Sequence, residues 1–162
     1  MLPYWRALVV LAVLNVALII AAARMPYFPG DLAFARFVQS AAPMPAGVAQ
    51  WITATADKPG CFVLLALTFL IAWLISGWRA ALVSVAVFFG LWFFGIWLSP
   101  IVAQPRPSRD LIQVVGHPKG YAFPSIFGLI YMATFGYMGV VAAMRCRGAL
   151  RWIITVAAIV IL

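Results

Sequence analysis

Apolar residues run almost unbroken over five stretches of the chain, residues 5–23, 60–77, 80–103, 123–144 and 150–162. Most of these approach the roughly 20 residues with which an α-helix crosses the hydrocarbon core of a bilayer. A segment surrounded by lipid must satisfy its own backbone polar groups, so runs of this kind predict helices. Only Trp78 and Arg79 interrupt the second and third stretches, which predicts a tight helical hairpin. The expected fold class is all-α: a polytopic transmembrane helical bundle of about five membrane helices, with residues 1–162 forming a single transmembrane domain. Arg6 before the first stretch and Ala21, Ala22 and Ala23 after it also fit a signal peptide. The apolar run is longer than the roughly 7–15 residues of such a peptide's core, which favours a first span.

The segment 24–59 is too polar to span and too patterned for a plain linker. Gly30 and Asp31 offer a helix start, and Phe34, Phe37, Val38 and Ala41 then recur at helical spacing with Arg36 and Gln39 off that face. A flat-lying helix is predicted over residues 31–42. Val48, Trp51 and Ile52 repeat the pattern after Pro43 and Pro45. Two readings fit these residues: short interfacial helices on the outer membrane surface, or a lid or lateral entrance for a lipid.

Composition narrows the class. Hydrophobic residues make up 67% of the chain and charged residues 9%, against roughly 45–50% and 25% in soluble domains. The net charge of +8 does not imply nucleic acid as a partner, because the basic residues sit at the ends of apolar runs, where they meet lipid phosphates. The partners expected are the membrane and a phosphorylated membrane lipid. With the N-terminus cytoplasmic, Arg6, Arg79, Arg145, Arg147 and Arg151 fall inside in short segments free of acids, while Asp31, Asp57 and Asp110 fall outside. The expected location is the plasma (inner) membrane. Cys61 and Cys146 lie at opposite ends of their spans and cannot form a disulfide. One histidine and no glutamate leave neither a metal centre nor a carboxylate pair to assemble, and no cofactor is expected.

The chemistry that remains lies between the third and fourth stretches. There the chain reads Gln104-Pro105-Arg106-Pro107-Ser108-Arg109-Asp110, and later Tyr121-Ala122-Phe123-Pro124-Ser125. Pro105 and Pro107 fix the backbone on both sides of a permanently charged, bidentate donor. Lys119 adds a cation. Pro124 and Ser125 open the fourth helix, where unpaired backbone N–H groups favour an anion. The same residues also fit an ordinary basic loop that grips lipid head groups. Along the fourth helix, Ser125, Gly128, Gly136, Gly139 and Ala143 fall within roughly 80° of one another at about 100° per residue, a small-residue stripe suited to helix packing. That placement would turn Ser125 into the bundle.

At these residues the chain resembles the type 2 phosphatidic acid phosphatase superfamily of membrane lipid phosphatases. Family members carry a lysine, six residues, then Arg-Pro; then Pro-Ser-Gly-His at a helix start; and later Ser-Arg, five residues, His, three residues, Asp. Arg106-Pro107 matches the end of the first motif and Phe123-Pro124-Ser125 the start of the second. The resemblance implies a metal-independent hydrolase acting on a lipid phosphate or isoprenoid diphosphate at the outer membrane face. Arg106 would clamp phosphate oxygens, Ser125 would cradle them, and Lys119 and Arg109 would add diffuse attraction. The alternative is a catalytically inactive relative that binds or translocates phospholipid.

The departures fall on functional positions. The family lysine falls on Ser99, and the Gly-His of the second motif on Ile126-Phe127, so the general acid that the resemblance implies is replaced by a phenylalanine. The third motif, with its nucleophilic histidine, is not in the sequence. The sequence stops at Ile161-Leu162 within an apolar run, and the expectation is a longer protein carrying a sixth helix and that motif. His117, between Gly116 and Pro118, is the candidate stand-in for the missing acid; it also fits a solvated histidine in a turn.

Overall fold

The computed structural model describes residues 4–114 and 120–162. Among the described residues every regular element is helical, as expected: α1 (Tyr4–Arg24), α2 (Asp31–Ala41), α3 (Ala46–Ala56), α4 (Gly60–Ser76), α5 (Trp78–Val102), α6 (Ile126–Tyr131), a π-helical turn (Met132–Gly136), α7 (Tyr137–Arg145) and α8 (Gly148–Ile161). Three stretches are long and apolar enough to cross a membrane: Trp5–Arg24, Trp78–Val102 and Ile126–Arg145. A fourth is added if α3 and α4, bent by 63° at their junction, form one broken span. The hydropathy pattern predicted about five. The difference is one of length, since α4 has 17 residues and α8 has 14. At about 1.5 Å per residue, neither alone reaches the roughly 30 Å of a hydrocarbon core.

The chain divides into two compact units, Met1–Met44 with Leu98–Phe123, and Pro45–Trp97 with Pro124–Leu162. In the first unit α1 is apolar around its circumference and exposes nearly all its side chains, as a lipid-facing helix does. Its polar Asn15 is satisfied locally, Nδ2 donating to the Leu11 carbonyl at 2.8 Å. Ala22 is buried against Leu98 and Val102, with Ile19, Phe28 and Phe123 around them. The helix stops at Arg24, two residues before Pro26, which disfavours helical backbone at Met25.

The predicted start of α2 is present, in a form the sequence did not specify. Gly30 takes φ 91°, which a side chain would oppose. The Asp31 carboxylate reaches back to accept the Phe28 N–H at 3.0 Å, and its negative charge suits the first turn of the helix. Pro43 and Pro45 separate α2 from α3. At the end of α5, Pro100 lacks the N–H that the helix would use, and Ala103 adopts φ 52°, a left-handed conformation costing an alanine about 1–2 kcal/mol. The chain leaves α5 there and enters the loop 103–123.

In the second unit, α4 and α5 meet through the single residue Gly77, at φ 85°. Phe62 and Trp92, equidistant from Gly77 along the chain, stack edge to face at 5.7 Å, which is the predicted tight hairpin. Cys61, Phe88, Ile130 and Ala133 form the core, flanked by Leu65, Trp92, Ile126 and Tyr131. Thr55 donates its hydroxyl to the Ile52 carbonyl at 2.6 Å, so Tyr131 is the donor in the 2.7 Å bond between the two hydroxyls. The small-residue stripe packs as expected over part of its length. An added Cβ at Gly139 would lie 3.0 Å from the Ala158 Cβ, so α7 and α8 approach as closely as a glycine allows.

Candidate functional site

The loop 103–123 is built by a few bonds on a fixed scaffold. Gln104, buried, donates Nε2 to the Met25 carbonyl at 3.1 Å and accepts the Ala122 N–H on its own carbonyl at 2.9 Å. These two bonds tie the start and end of the loop to the exit of α1. Two residues further, Arg106 donates Nε to the Gly120 carbonyl at 3.2 Å. Pro105 and Pro107 hold φ near about −65° on either side, so the Arg106 backbone has little freedom. Its side chain is exposed, and its Nη groups have no partner among the described residues. One edge of the guanidinium is thus used to hold the loop closed. The remaining donors keep the planar fork that suits a phosphate or carboxylate.

Beyond Arg106 the chain makes a turn, with the Leu111 and Ile112 N–H groups donating to the Ser108 carbonyl at 3.1 and 3.3 Å. This turn is stitched to α2 by three bonds across some 75 positions of sequence. Arg36 donates Nε to the Leu111 carbonyl at 2.8 Å. Gln39 donates Nε2 to the Gln113 carbonyl at 2.8 Å, and its Oε1 accepts the Gln113 N–H at 3.1 Å. The Gln39 amide therefore pairs with one residue's backbone as a neighbouring strand would. Between α2 and the turn lies an open groove of about 350 Å³, lined by Arg36, Gln39, Ser40 and residues 109–113.

The predicted residues are distributed as follows. Arg106 and Arg109 lie in the first unit, Arg106 on the tied loop and Arg109 on the groove. Ser125 belongs to the second unit. Its side chain is exposed rather than turned into a core, and its Oγ accepts the Gly128 N–H at 3.2 Å as the N-cap of α6. That bond satisfies one of the free N–H groups that open a helix. Lys119 and His117 lie outside the described residues. Ile126 and Phe127, at the Gly-His positions of the motif, are half-buried: Ile126 packs toward Gly95, and Phe127 stacks on Tyr131 with centroids 4.2 Å apart.

Arg36, Gln39 and Asp110 were not singled out from sequence as site residues. The only signal was that Arg36 and Gln39 fall off the apolar face of α2. Among the described residues no cluster of histidine, cysteine or carboxylate side chains is placed to hold a metal ion. No protein-family model, curated protein or solved structure matches this chain.

Proposed function

We propose that this chain is an integral membrane protein, a bundle of about five spans, that holds a phosphorylated lipid with Arg106 at the outer face of the plasma membrane, its N-terminus being cytoplasmic. The ligand class is a lipid phosphate or isoprenoid diphosphate, and in a complete form carrying the third motif the protein hydrolyses it without metal. The observation that supports this reading is Arg106 itself. It is the arginine of the matched Arg-Pro, clamped by two prolines, tied through Nε to Gly120, and exposed, with no partner for its Nη groups among the described residues. Charge-assisted bonds to phosphate from a side chain held in this way lose little further entropy on binding.

A second reading, a relative that binds or translocates phospholipid without hydrolysis, is favoured by Ser99, Ile126 and Phe127, none of which can replace the family's lysine or acid. The test is made on purified protein in detergent offered a short-chain lipid phosphate, with Arg106→Ala as control. Binding should weaken by about 10-fold or more in Arg106→Ala, the loss of a charge-assisted bond of roughly 1.5–3 kcal/mol. Inorganic phosphate should not be released by these 162 residues above that control, since none matches the nucleophilic histidine. Release that depends on Arg106 would make His117 or another group the nucleophile. Binding indifferent to Arg106 would remove the basis of both readings.

A further inference from the structure

The groove between α2 and the turn 109–113 makes no use of Arg106, and its charges have a pattern of their own. Arg36 and Arg109 line it together with the carboxylate of Asp110. Gln39 is fully occupied by the Gln113 backbone, and the Ser40 hydroxyl donates to the Phe37 carbonyl at 2.8 Å, so both are scaffold. Arg36 uses Nε on Leu111, and among the described residues neither its Nη groups nor the Asp110 carboxylate has a partner; Arg109 is engaged in an interaction of its own and contributes its charge to the groove. An exposed wall of two guanidiniums and one carboxylate complements a ligand with a phosphate at one end and a cation at the other. The volume, about 350 Å³, lies at the small end of the range for small-ligand clefts, roughly 300–1,000 Å³.

We propose that this groove binds the head group of a zwitterionic aminophospholipid of the surrounding membrane, the phosphate on the Nη groups of Arg36, with the charge of Arg109 beside it, and the primary ammonium on Asp110. The membrane is the source because of the opposite side of α2. At about 100° per residue, Phe34, Phe37, Val38 and Ala41 centre roughly opposite Arg36, Gln39 and Ser40. Phe34 and Phe37 are 69% and 65% exposed. The short segment 25–30 links α2 to α1, which is long and apolar enough to cross a membrane. An amphipathic helix so tethered buries its apolar face about 5–10 Å into the boundary of head groups and acyl chains. Its polar face, and the groove on it, then lie at the level of the lipid phosphates. An ammonium also distinguishes this ligand from an anionic lipid, because Asp110 attracts the first and repels the second.

The experiment is native mass spectrometry of the full chain in detergent, titrated with phosphatidylethanolamine, phosphatidylglycerol and phosphatidylcholine of matched acyl chains. Soluble phosphoethanolamine and inorganic phosphate serve as separate probes. Phosphatidylethanolamine should bind about 10-fold more tightly than the other two lipids, as one ionic hydrogen bond to Asp110 warrants. Asp110→Asn, which breaks no side-chain bond among the described residues, should erase that preference while phosphatidylglycerol binds as well or better. Arg36→Gln, whose amide can still reach the Leu111 carbonyl, should weaken all three lipids by about 10-fold. Arg106→Ala should leave the preference intact, so this inference and the Arg106 reading fail separately. Equal binding of the three lipids, a preference that survives Asp110→Asn, or its loss in Arg106→Ala would each overturn the proposal. So would tighter binding of soluble phosphoethanolamine or of inorganic phosphate than of the lipid.

Discussion

Replacing Gln39 with alanine should loosen the turn 109–113 on α2 at Gln113. The side chain makes two bonds to the backbone of a single residue, donating to the Gln113 carbonyl at 2.8 Å and accepting the Gln113 N–H at 3.1 Å. A hydrogen bond contributes about 0.5–1.5 kcal/mol net, so losing both costs about 1–3 kcal/mol of local stability. The contact is reachable by water, which replaces part of what is lost, and the lower half of that range applies. A loss of about 1–2 kcal/mol raises the open fraction of the turn roughly 5- to 30-fold. Hydrogen exchange resolved to single amides reads this directly, because the Gln113 N–H is itself one of the bonded groups and exchanges through local opening.

Gln39→Glu separates the two bonds. Its carboxylate still accepts the Gln113 N–H but faces the Gln113 carbonyl with no proton to donate, so exchange should fall between the wild type and Gln39→Ala. Arg36 donates to the neighbouring Leu111 and is unchanged in both variants, which keeps the turn near α2. An unaltered Gln113 exchange rate in Gln39→Ala would show that the turn is held by something other than this side chain.

Ala103→Gly should stabilise the end of α5 by up to about 1 kcal/mol, since φ 52° strains alanine and not glycine; a thermal midpoint in detergent that falls would refute the strain. Gly60→Ala and Gly90→Ala should have opposite signs in the same assay. A Cβ at Gly60 meets the Ala54 carbonyl and the Thr55 Cα, backbone that cannot give way, at a cost of about 1–3 kcal/mol or more, whereas at Gly90 it meets nothing within 4 Å and gains roughly 0.5–1 kcal/mol of helix propensity.

The apolar elements were legible because hydropathy and helical period are local properties. α2 begins at Gly30-Asp31 as read, and α4 and α5 turn tightly at Gly77, because both are dictated by residues within a turn of one another. The number of spans was less legible. Hydropathy separates the pattern at residues 48–52 from the stretch 60–77 and cannot report that α3 and α4 meet end to end at a 63° bend, which is a matter of how the chain packs and not of local composition. The groove was illegible for a related reason. Arg36 and Gln39 could be placed on the polar side of α2, but their partners Leu111 and Gln113 lie some 75 positions away, and nothing local names them. Arg106 was identified through its prolines, while the bond of its Nε to Gly120 depends on loop closure.

The motif departures acquire a physical meaning from what occupies them. Ile126 fills the space over Gly95 and joins the residues around Phe88, while Phe127 lies on the Tyr131 ring at 26° between planes. These positions, given to glycine and histidine in the resembled family, are used here for packing. Ile126→Gly removes the whole side chain from a half-buried site. Full burial would make the loss of such a side chain cost roughly 2–5 kcal/mol, so about half of that is expected. Phe127→His keeps a planar ring over Tyr131 and should cost less. Thermal unfolding of the two single variants decides between packing and indifference: an Ile126→Gly protein as stable as the wild type would mean that the contact over Gly95 carries no weight. Phe127→His is therefore the variant in which an introduced acid can be read without a damaged fold. In a form of the protein that turns over, it should raise hydrolysis of a lipid monoester, whose alkoxide needs a proton, more than that of a diphosphate, whose leaving phosphate does not. Equal gains on the two substrates would assign the acid's role to another group.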